Sequence, residues 1–315
     1  MIPTPTITEL IKARKNLANY IHQTPVFQST ALNEMTGAQL FFKAENLQKM
    51  GAFKMRGAMY ATLQLTKEEQ QKGIATHSSG NFAQAMALSA KLLGIPAWAV
   101  MPSNAPQVKK AAVASYGATI IECEPTLEAR ETTLQKVVDQ HQCTALHPYN
   151  DIDVILGNST ATQELLEQID ALNFIISPVG GGGLISGTAL AAHYLSPKTK
   201  VIGAEPKLAD DAFRSLQTGV IQPPLKPLTI ADGLRTALGT ITFQFIQQYV
   251  DEIKLAEEDE IIEAMRLIWE RMKIIVEPSS AITLAIVLKN KDYFKNKRIG
   301  LILSGGNVDL GKLPF

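Results

Sequence analysis

Short apolar runs alternate with longer amphipathic stretches along most of this chain. Runs of strand length occur at 40–42, 74–77, 119–123, 174–179, 201–204 and 298–304, and the stretches between them repeat apolar residues at helical spacing. The first helix has a marked start, because Thr6 and Glu9 have the spacing of a capping box, and its apolar face is predicted to comprise Ile7, Leu10, Ile11, Leu17 and Ile21. Strands alternating with helices predict an α/β fold in which helices cover parallel-rich sheets on both sides.

Composition and charge narrow the class of protein. The 315 residues are 46% hydrophobic and carry 30 basic and 30 acidic side chains, so nothing favours nucleic acid or an acidic membrane surface as a partner. No apolar run approaches the roughly 20 residues of a membrane span, and we expect no signal peptide. Cys123 and Cys143 fit neither a disulfide framework nor a zinc site, which predicts a cytoplasmic protein. The five histidines form no zinc motif, and we interpret them as structural.

The segment GAFKMRGA places Lys54 where a predicted strand gives way to a predicted helix. A helix N-terminus disfavours a cation, and the nearby Lys49 and Arg56 add like charge, so the sequence predicts a lowered pKa for Lys54. A neutral lysine amine is a nucleophile. The alternative is an ordinary lysine in a surface loop.

A second motif, PVGGGGLISG, has four glycines between a predicted strand and a predicted helix. Backbone N–H groups of Gly180–Gly183 are free to converge on an anion at the helix start, which predicts a phosphate site. The GK[ST] ending of a nucleotide-hydrolysing loop is missing. A dinucleotide site is the lesser alternative, because Gly181, Gly183 and Ser186 nearly match GxGxxG and Glu205 lies at the spacing of a ribose-binding acid.

An activated lysine and a phosphate site together are explained by pyridoxal 5′-phosphate, whose aldehyde forms a Schiff base with a lysine. Two more polar segments follow predicted strands, at 78–81 and at 304–307, where α/β folds place ligand contacts. Alternatively, Ser79 or Asn81 only caps the next helix, and the segment at Ser304 is only a turn.

The chain resembles the fold-type II pyridoxal phosphate enzymes, most closely the family of serine racemase and the short threonine/serine dehydratases. GAFKMRGA, HSSGNFAQA, PVGGGGLISG, AEPKLADDA, IADGL, VEPSSA and LSGGNVD occur in the family's order and spacing, from about residue 24 to 309. The resemblance implies a tryptophan synthase β-like fold with a large cofactor-binding domain (1–72 and 151–315) and a small domain (73–150). It also implies a cofactor in the cleft between them, and a homodimer.

The resemblance further implies roles for individual residues. Lys54 would be the Schiff-base lysine and Ser79 a second acid/base group on the opposite face of the cofactor, which would allow racemisation as well as dehydration. Ser304 would meet the pyridine nitrogen, and a serine leaves the ring a weaker electron sink than a carboxylate does, so elimination competes well. The other implied cofactor contacts are Phe53, Asn81, Gly180, Gly181, Gly182, Gly183, Leu184 and Gly233. The implied substrate contacts are Ser78, Ser79, Asn81, Phe82, Arg130 and Thr236.

By the same resemblance, the acidic segment after the 201–204 strand would bind a divalent cation. Its ligands would be the carboxylates of Glu205 and Asp211 and the carbonyl of Ala209. All three are oxygen ligands, which suit Mg²⁺ or Ca²⁺. The alternative is a solvated acidic loop.

Two departures from the family pattern bear on the substrate. Phe82 replaces the histidine of SSGNH, and Gly157-Asn158-Ser159-Thr160 replaces GQGT, so we expect an altered pocket. Arg130 matches a position that faces a substrate carboxylate, and a second carboxylate, as in 3-hydroxyaspartate, would suit it if it points inward. Its alternative is a solvated helix residue.

These observations together predict a pyridoxal phosphate-dependent ammonia-lyase (dehydratase), a racemase, or both. The substrate would be a small hydroxy amino acid such as serine, threonine or 3-hydroxyaspartate, and the lyase products a 2-oxo acid and ammonia. Two alternatives stay open. One is a β-replacement synthase of the same fold, and the other is an amino-acid-binding protein without turnover.

Overall fold

Two β-sheets carry the fold in the computed structural model, which describes residues 2–78, 80–105, 107–225 and 227–315. The larger sheet is parallel except at one edge, where its first strand is antiparallel to the second. Its strand order is β1 (Val26–Phe27), β2 (Gln39–Ala44), β10 (Arg298–Leu303), β7 (Phe174–Pro178), β8 (Lys200–Pro206) and β9 (Glu252–Ala256). The smaller sheet is parallel throughout, in the order β5 (Thr119–Cys123), β4 (Ala97–Pro102), β3 (Ile74–Thr76) and β6 (Thr144–Ala145).

Helices connect the strands. Those before the smaller sheet are α1 (Ile7–Leu17), α2 (Thr30–Thr36), α3 (Lys54–Gln64) and α4 (Lys67–Lys72). Those between its strands are α5 (Asn81–Leu93), α6 (Gln107–Ser115) and α7 (Leu127–His141). The remainder are α8 (Ile152–Gln168), α9 (Gly183–Leu195), α10 (Asp211–Thr218), α11 (Thr240–Tyr249), α12 (Glu258–Met272), α13 (Pro278–Lys289) and α14 (Lys291–Phe294).

The predicted α/β architecture is confirmed. Each of the six apolar runs forms a strand, with ends that differ from the prediction by one or two residues. The larger sheet is buried on both faces, because successive side chains of a strand point to opposite sides. Leu301 and Leu303 of β10 pack with α12 and α13, whereas Ile302 packs with α9 and α11. The strands of the smaller sheet all lie between 74 and 145, while the division into domains at 73 and 150 stays a prediction.

The first helix begins as predicted and packs differently from the prediction. Thr6 and Glu9 form the capping box, and Leu10, Leu17 and Ile21 are buried. Ile7 and Ile11 are 39% and 54% exposed, so two of the five predicted core positions are wrong. These two lie one turn apart, on a stripe that the contacts of α1 with α3 and α8 do not cover.

A buried charge cluster joins the start of α3 to β2 and α8. The guanidinium of Arg56 donates to both carboxylate oxygens of Glu45 (2.6 and 2.8 Å) and to both of Glu164 (2.8 Å each). Lys43 donates to Glu164 at 2.7 Å, and all four side chains are fully buried. The two buried cations balance the two anions, and the partly exposed Arg14 also pairs with Glu164 at 3.4 Å, so the desolvated charges are compensated.

Among the described residues, no helix combines the length and the apolar character that crossing a bilayer requires.

Candidate active site

A cavity of about 540 Å³ lies where the carboxyl ends of the two sheets face each other. In open α/β sheets this edge is where ligands bind. The loops after β3, β7 and β10 all contribute to its wall. Of the predicted site residues, the cavity brings together Phe53, Lys54, Ser78, Asn81, Phe82, Arg130, Gly180, Gly181, Gly182, Gly183, Leu184, Gly233, Thr236 and Ser304. Ser79 lies outside the described residues, and the three predicted metal ligands are not in this wall.

Lys54 is the first residue of α3, and its amine is held inside the cavity. The Nζ atom donates to the carbonyl of Pro148 at 2.7 Å and lies 5.0 Å and 5.7 Å from the ring centres of Phe53 and Phe82. Burial lowers the pKa of Lys54 to about 8, and the negative charge of Glu277 opposes this shift. Desolvation disfavours the charged form of an amine, so a neutral nucleophile is accessible near neutral pH.

The cause of this lowered pKa differs from the predicted one. The direction agrees with the sequence argument, which invoked like charge from neighbouring cations. Arg56, however, is neutralised by Glu45 and Glu164 in the buried cluster, so it contributes no free positive charge to the cavity. The prediction that Arg56 lowers the pKa of Lys54 is therefore wrong. The cause is the burial of the amine in an apolar surrounding.

The glycine loop is shaped so that side chains are excluded. A Cβ at Gly181 would lie 2.4 Å from the ring of Tyr149, and one at Gly182, whose φ is +90°, would lie 2.7 Å from Thr242. Thr242 also donates its hydroxyl to the carbonyl of Gly181 at 2.8 Å, which fixes the loop against α11. The loop leads directly into α9, whose first N–H groups have no partner within the helix. This geometry suits an anionic group such as a phosphate.

Asn81 belongs to a hydrogen-bonded network and does not cap a helix. Gly80 occupies the N-cap position of α5 and makes no side-chain cap, so the capping alternative is wrong for Asn81. The Asn81 amide nitrogen donates to both carboxylate oxygens of Glu277 at 3.2 Å. Its oxygen accepts from Asn307 Nδ2 at 2.9 Å. Three segments distant in sequence therefore meet at this side chain.

Ser304 follows β10 and is tied to the helix that carries the lysine. Its carbonyl accepts from the N–H of Phe53 at 2.9 Å. Its Oγ lies 3.1 Å from Ser280 Oγ, and Ser280 donates its single hydrogen to the carbonyl of Gly305 at 2.6 Å. The hydrogen between the two serines therefore comes from Ser304, and this hydroxyl would have to rotate away from Ser280 to donate to a ligand.

Several residues of the cavity were missed by sequence reasoning. Glu277 is 5% exposed and lines the cavity, and burial raises its pKa to about 7. Its segment, VEPSSA, was noted only as part of the family pattern. His77 also lines the wall, and its interpretation as a structural residue stays a prediction.

His147 adjoins the cavity. Its ring lies 6.1 Å from that of His77 and 4.6 Å from that of Tyr149, and its Nδ1 accepts from the N–H of Asn150 at 2.8 Å. Burial lowers the pKa of His147 to about 4, with His77 and Lys54 acting in the same direction. The ring is therefore neutral near pH 7, and a position directly after a strand was the signal that could have drawn attention to it.

The residues that depart from the family pattern fall in two different places. Phe82 is 2% exposed and forms part of the cavity wall, as the sequence suggested. The segment 157–160 lies inside α8, where a Cβ on Gly157 would come within 2.4 Å of the carbonyl of Arg56. Its effect is on the packing of α8 against α3, so the expectation that it alters the pocket is wrong.

Arg130 and Thr236, two of the predicted substrate contacts, both line the cavity. Arg130 is partly buried and lines the wall from the first turn of α7, and its Nε is 3.4 Å from the carbonyl of Thr126. Arg130 is therefore not fully solvated, and its contact with a substrate stays a prediction. The hydroxyl of Thr236 would be 3.4 Å from a Cβ on Gly180, which places it beside the glycine loop.

The predicted metal ligands form a separate buried group. Glu205 and Asp211 are each 1% exposed, as is Ala209, so the segment is not a solvated acidic loop. Glu205 accepts from the N–H groups of Ala212 and Phe213 at 2.8 Å. Both carboxylate oxygens of Asp211 are buried without a hydrogen-bond partner. A buried carboxylate without partners is costly, and a bound cation would satisfy it.

Comparison with known proteins identifies the class. A family model described as pyridoxal-phosphate dependent enzyme matches residues 17–305, and the chain therefore belongs to that family. Serine racemase of Dictyostelium discoideum is 50% identical over 314 residues, which span 98% of this chain and 97% of the relative. Its crystal structure has a TM-score of 0.94 and matches over 98% of this chain and 100% of its own.

Two further proteins are similarly close. The beta-hydroxyaspartate dehydratase of Paracoccus denitrificans is 49% identical over 311 residues, covering 99% of each chain. The crystal structure of a threonine deaminase from T.th. is 41% identical with a TM-score of 0.93, covering 97% of this chain and 99% of that chain. The dinucleotide alternative is wrong, because the chain belongs to the pyridoxal-phosphate dependent family. In addition, the Glu205 carboxylate already accepts a hydrogen bond from the backbone at the start of α10.

Proposed function

We propose that this chain is a pyridoxal phosphate-dependent ammonia-lyase, with accompanying racemase activity, for small amino acids that carry a hydroxyl on Cβ. The lyase reaction would convert the substrate to a 2-oxo acid and ammonia. The observation that carries the proposal is a partly buried amine of lowered pKa, Lys54, in the same cavity as a phosphate-shaped glycine loop. The names of the three relatives, serine racemase, beta-hydroxyaspartate dehydratase and threonine deaminase, support this class of substrate.

The residues present fit the cofactor. Gly180–Gly183 with Leu184 would hold its phosphate, because this loop lines the cavity and leads into the N-terminus of α9, whose first N–H groups have no partner within the helix. Asn81 would bond the phenolic oxygen, Ser304 the ring nitrogen, and Lys54 would join the aldehyde. Phe53 and Gly233 would contact the cofactor from the walls. When bound, pyridoxal phosphate supplies an electron sink for the electron pair left on Cα after deprotonation.

We assign the removal of the substrate proton to Lys54. Lys54 would be the general base for the Cα proton of the bound substrate, and its lowered pKa keeps enough of the amine neutral to act. Phe53 and Phe82 flank this amine with apolar rings. The proton that Lys54 takes from Cα balances the one that the Cβ hydroxyl needs to leave as water, which would complete the dehydration.

Racemisation needs a second acid/base group on the other face. We assign this role to Ser79, and we assign contacts with the substrate to Ser78 and Asn81. A proton returned from that face inverts Cα. The balance between the two outcomes depends on whether the hydroxyl leaves before the proton returns.

Arg130 would bind a substrate carboxylate, with Thr236 nearby and Phe82 as the apolar wall. Among the described residues Arg130 forms no ion pair with a carboxylate, so its guanidinium is available for bidentate contact. This arrangement favours 3-hydroxyaspartate, which has a second carboxylate, over serine and threonine.

We further propose a divalent cation, Mg²⁺ or Ca²⁺, held by Glu205, Asp211 and the carbonyl of Ala209. The unpartnered, buried Asp211 carboxylate supports it. Chelator should lower the unfolding temperature of the wild type, and Asp211→Asn should remove that response. Asp210→Asn is the control, because Asp210 already pairs with Arg214. An unfolding temperature that chelator and added cation leave unchanged contradicts the site.

We also propose that the protein acts as a homodimer in the cytoplasm. The family resemblance supports the first statement, and the pattern of cysteines supports the second. Analytical ultracentrifugation tests the assembly.

The function is tested by incubating the cofactor-loaded enzyme with each enantiomer of serine and threonine and with the isomers of 3-hydroxyaspartate. Release of 2-oxo acid and ammonia is measured together with the enantiomer ratio. Lys54→Ala should lose both activities, and Lys49→Ala, an adjacent lysine outside the cavity wall, should keep them. Turnover by Lys54→Ala rejects the assignment. A product that requires an added nucleophile indicates a β-replacement synthase, and binding without turnover indicates an amino-acid-binding protein.

A further inference from the structure

The carboxylate of Glu277 lines the cavity but has no role in the proposed reaction. Glu277 occupies the N-cap position of α13, yet its side chain makes no capping bond to that helix. It points instead to Asn81 on α5, 196 residues away in sequence. It is 5% exposed and makes no ion pair within 4 Å among the described residues. Burial of a carboxylate costs free energy, and Glu277 does not offset this cost by capping α13. Its contact with Asn81 therefore needs an explanation.

The bonds around Glu277 form a closed set that determines which way the Asn81 amide points. Asn307 donates one Nδ2 hydrogen to the carbonyl of Met50 (2.9 Å) and the other to Asn81 Oδ1 (2.9 Å). Its backbone N–H donates to Glu277 Oε2 at 3.3 Å. Because Asn81 Oδ1 must then be the acceptor, Asn81 Nδ2 is the atom that faces Glu277.

One hydrogen of Asn81 Nδ2 is shared between the two oxygens of Glu277. An amide nitrogen has two hydrogens, so the second one remains for a ligand in the cavity. A flipped amide would place two acceptors, Asn81 Oδ1 and the Glu277 carboxylate, against each other and would present the wrong atom to the ligand. The carboxylate therefore selects the donor orientation of Asn81.

We propose that Glu277 is a positioning residue that, with Asn307, fixes the Asn81 amide so that its free N–H is presented to the phenolic oxygen of the bound cofactor. This inference rests on the proposed function. It assigns to Glu277 and Asn307 an effect on cofactor affinity that acts through Asn81 and not through the stability of the fold.

The test is the dissociation constant for pyridoxal phosphate, measured by quenching of protein fluorescence at pH 8.5, where Glu277 is ionised. Glu277→Gln replaces one acceptor oxygen by a donor, which faces either Asn81 or the N–H of Asn307. We expect the affinity to fall about tenfold, as for one hydrogen bond to a charged group. In an Asn81→Ala background the same substitution should change the affinity less than twofold. Glu131→Gln, an exposed site outside the cavity wall, is the control for the chemical change.

Thermal unfolding of the cofactor-free proteins separates positioning from folding. Glu277→Gln should unfold at or above the wild-type temperature, because it removes a desolvated charge. If Glu277→Gln does not fold, Asn307→Ala provides the same test. It should weaken binding about fivefold in the wild type and less than twofold in Asn81→Ala.

A tenfold loss of affinity for pyridoxal phosphate in Glu277→Gln that disappears in the Asn81→Ala background supports the inference. An unchanged affinity in Glu277→Gln, or an equal loss in both backgrounds, overturns it while leaving the proposed function in place. A wild-type protein that binds no pyridoxal phosphate overturns the proposed function and this inference together.

Discussion

The lowered pKa of Lys54 predicts that its amine reacts in the cofactor-free protein at a pH where lysines are normally inert. Its pKa of about 8, against an ordinary value of 10.5, follows from burial and is partly opposed by Glu277. At pH 7.5 a group with a pKa near 8 is about one quarter neutral, whereas an ordinary lysine is neutral in about one molecule in a thousand. The neutral fraction thus differs roughly 200-fold.

This difference can be measured by reductive methylation with formaldehyde and borohydride, which modifies only the neutral amine. The rate at Lys54 is followed by mass spectrometry of its peptide between pH 6 and 11, and the urea-unfolded protein is the reference for the same lysine. We compare midpoints of the pH profiles, because limited access lowers the absolute rate in the folded protein without moving the midpoint. A midpoint near 8 is expected in the folded protein. A midpoint that coincides with that of the unfolded chain refutes the burial argument.

Three further predictions concern the stability of the protein and its affinity for the cofactor. Lys54→Met should stabilise the cofactor-free protein at pH 7 by about 3 kcal/mol in urea unfolding, because a pKa lowered from 10.5 to about 8 corresponds to about 1.4 kcal/mol per unit. Since the lysine pKa is lowered on folding, its charge destabilises the fold below about pH 8, and this gain should vanish as the pH rises from 8 to 10.5. Arg56→Met should destabilise by about 3–5 kcal/mol, because it leaves two carboxylates in the buried cluster, whereas Arg266→Met, at an exposed pair, should change stability by less than about 0.5 kcal/mol. Gly181→Ala should weaken cofactor binding at least about tenfold, and Tyr149→Ala, which removes the ring 2.4 Å from the new Cβ, should recover part of the loss in an affinity measurement.

The features that the sequence predicted well are local ones. Strand and helix periodicities, the capping box at Thr6, and the glycine loop each depend on residues close together in the chain. The meeting of the polar residues after β7 and β10 was also predictable, because parallel strands of one sheet bring their carboxyl ends to one edge. The segment after β3 belongs to the other sheet, and only the family resemblance implied that it shares the same cavity.

The features that the sequence predicted poorly depend on partners far away in the chain. Arg56 looked like a free cation beside Lys54 until Glu45 and Glu164 were placed against it. Glu277 was noted only as part of the VEPSSA motif, and only folding brings it to Asn81. A local pattern shows the type of a side chain and its periodicity but does not show which charge compensates it.

The anchoring of α3 is independent of the chemistry at its start. The four buried charges that hold this helix to β2 and α8 are absent from the cavity wall among the described residues, although Arg56 follows the reactive lysine by only two positions. An exposed wall residue such as Thr236 can therefore be exchanged without disturbing this anchor, whereas Phe82 is also part of a buried core cluster. Conversely, replacement of any one of the four charges is expected to be tolerated in descendants only together with a compensating change in another.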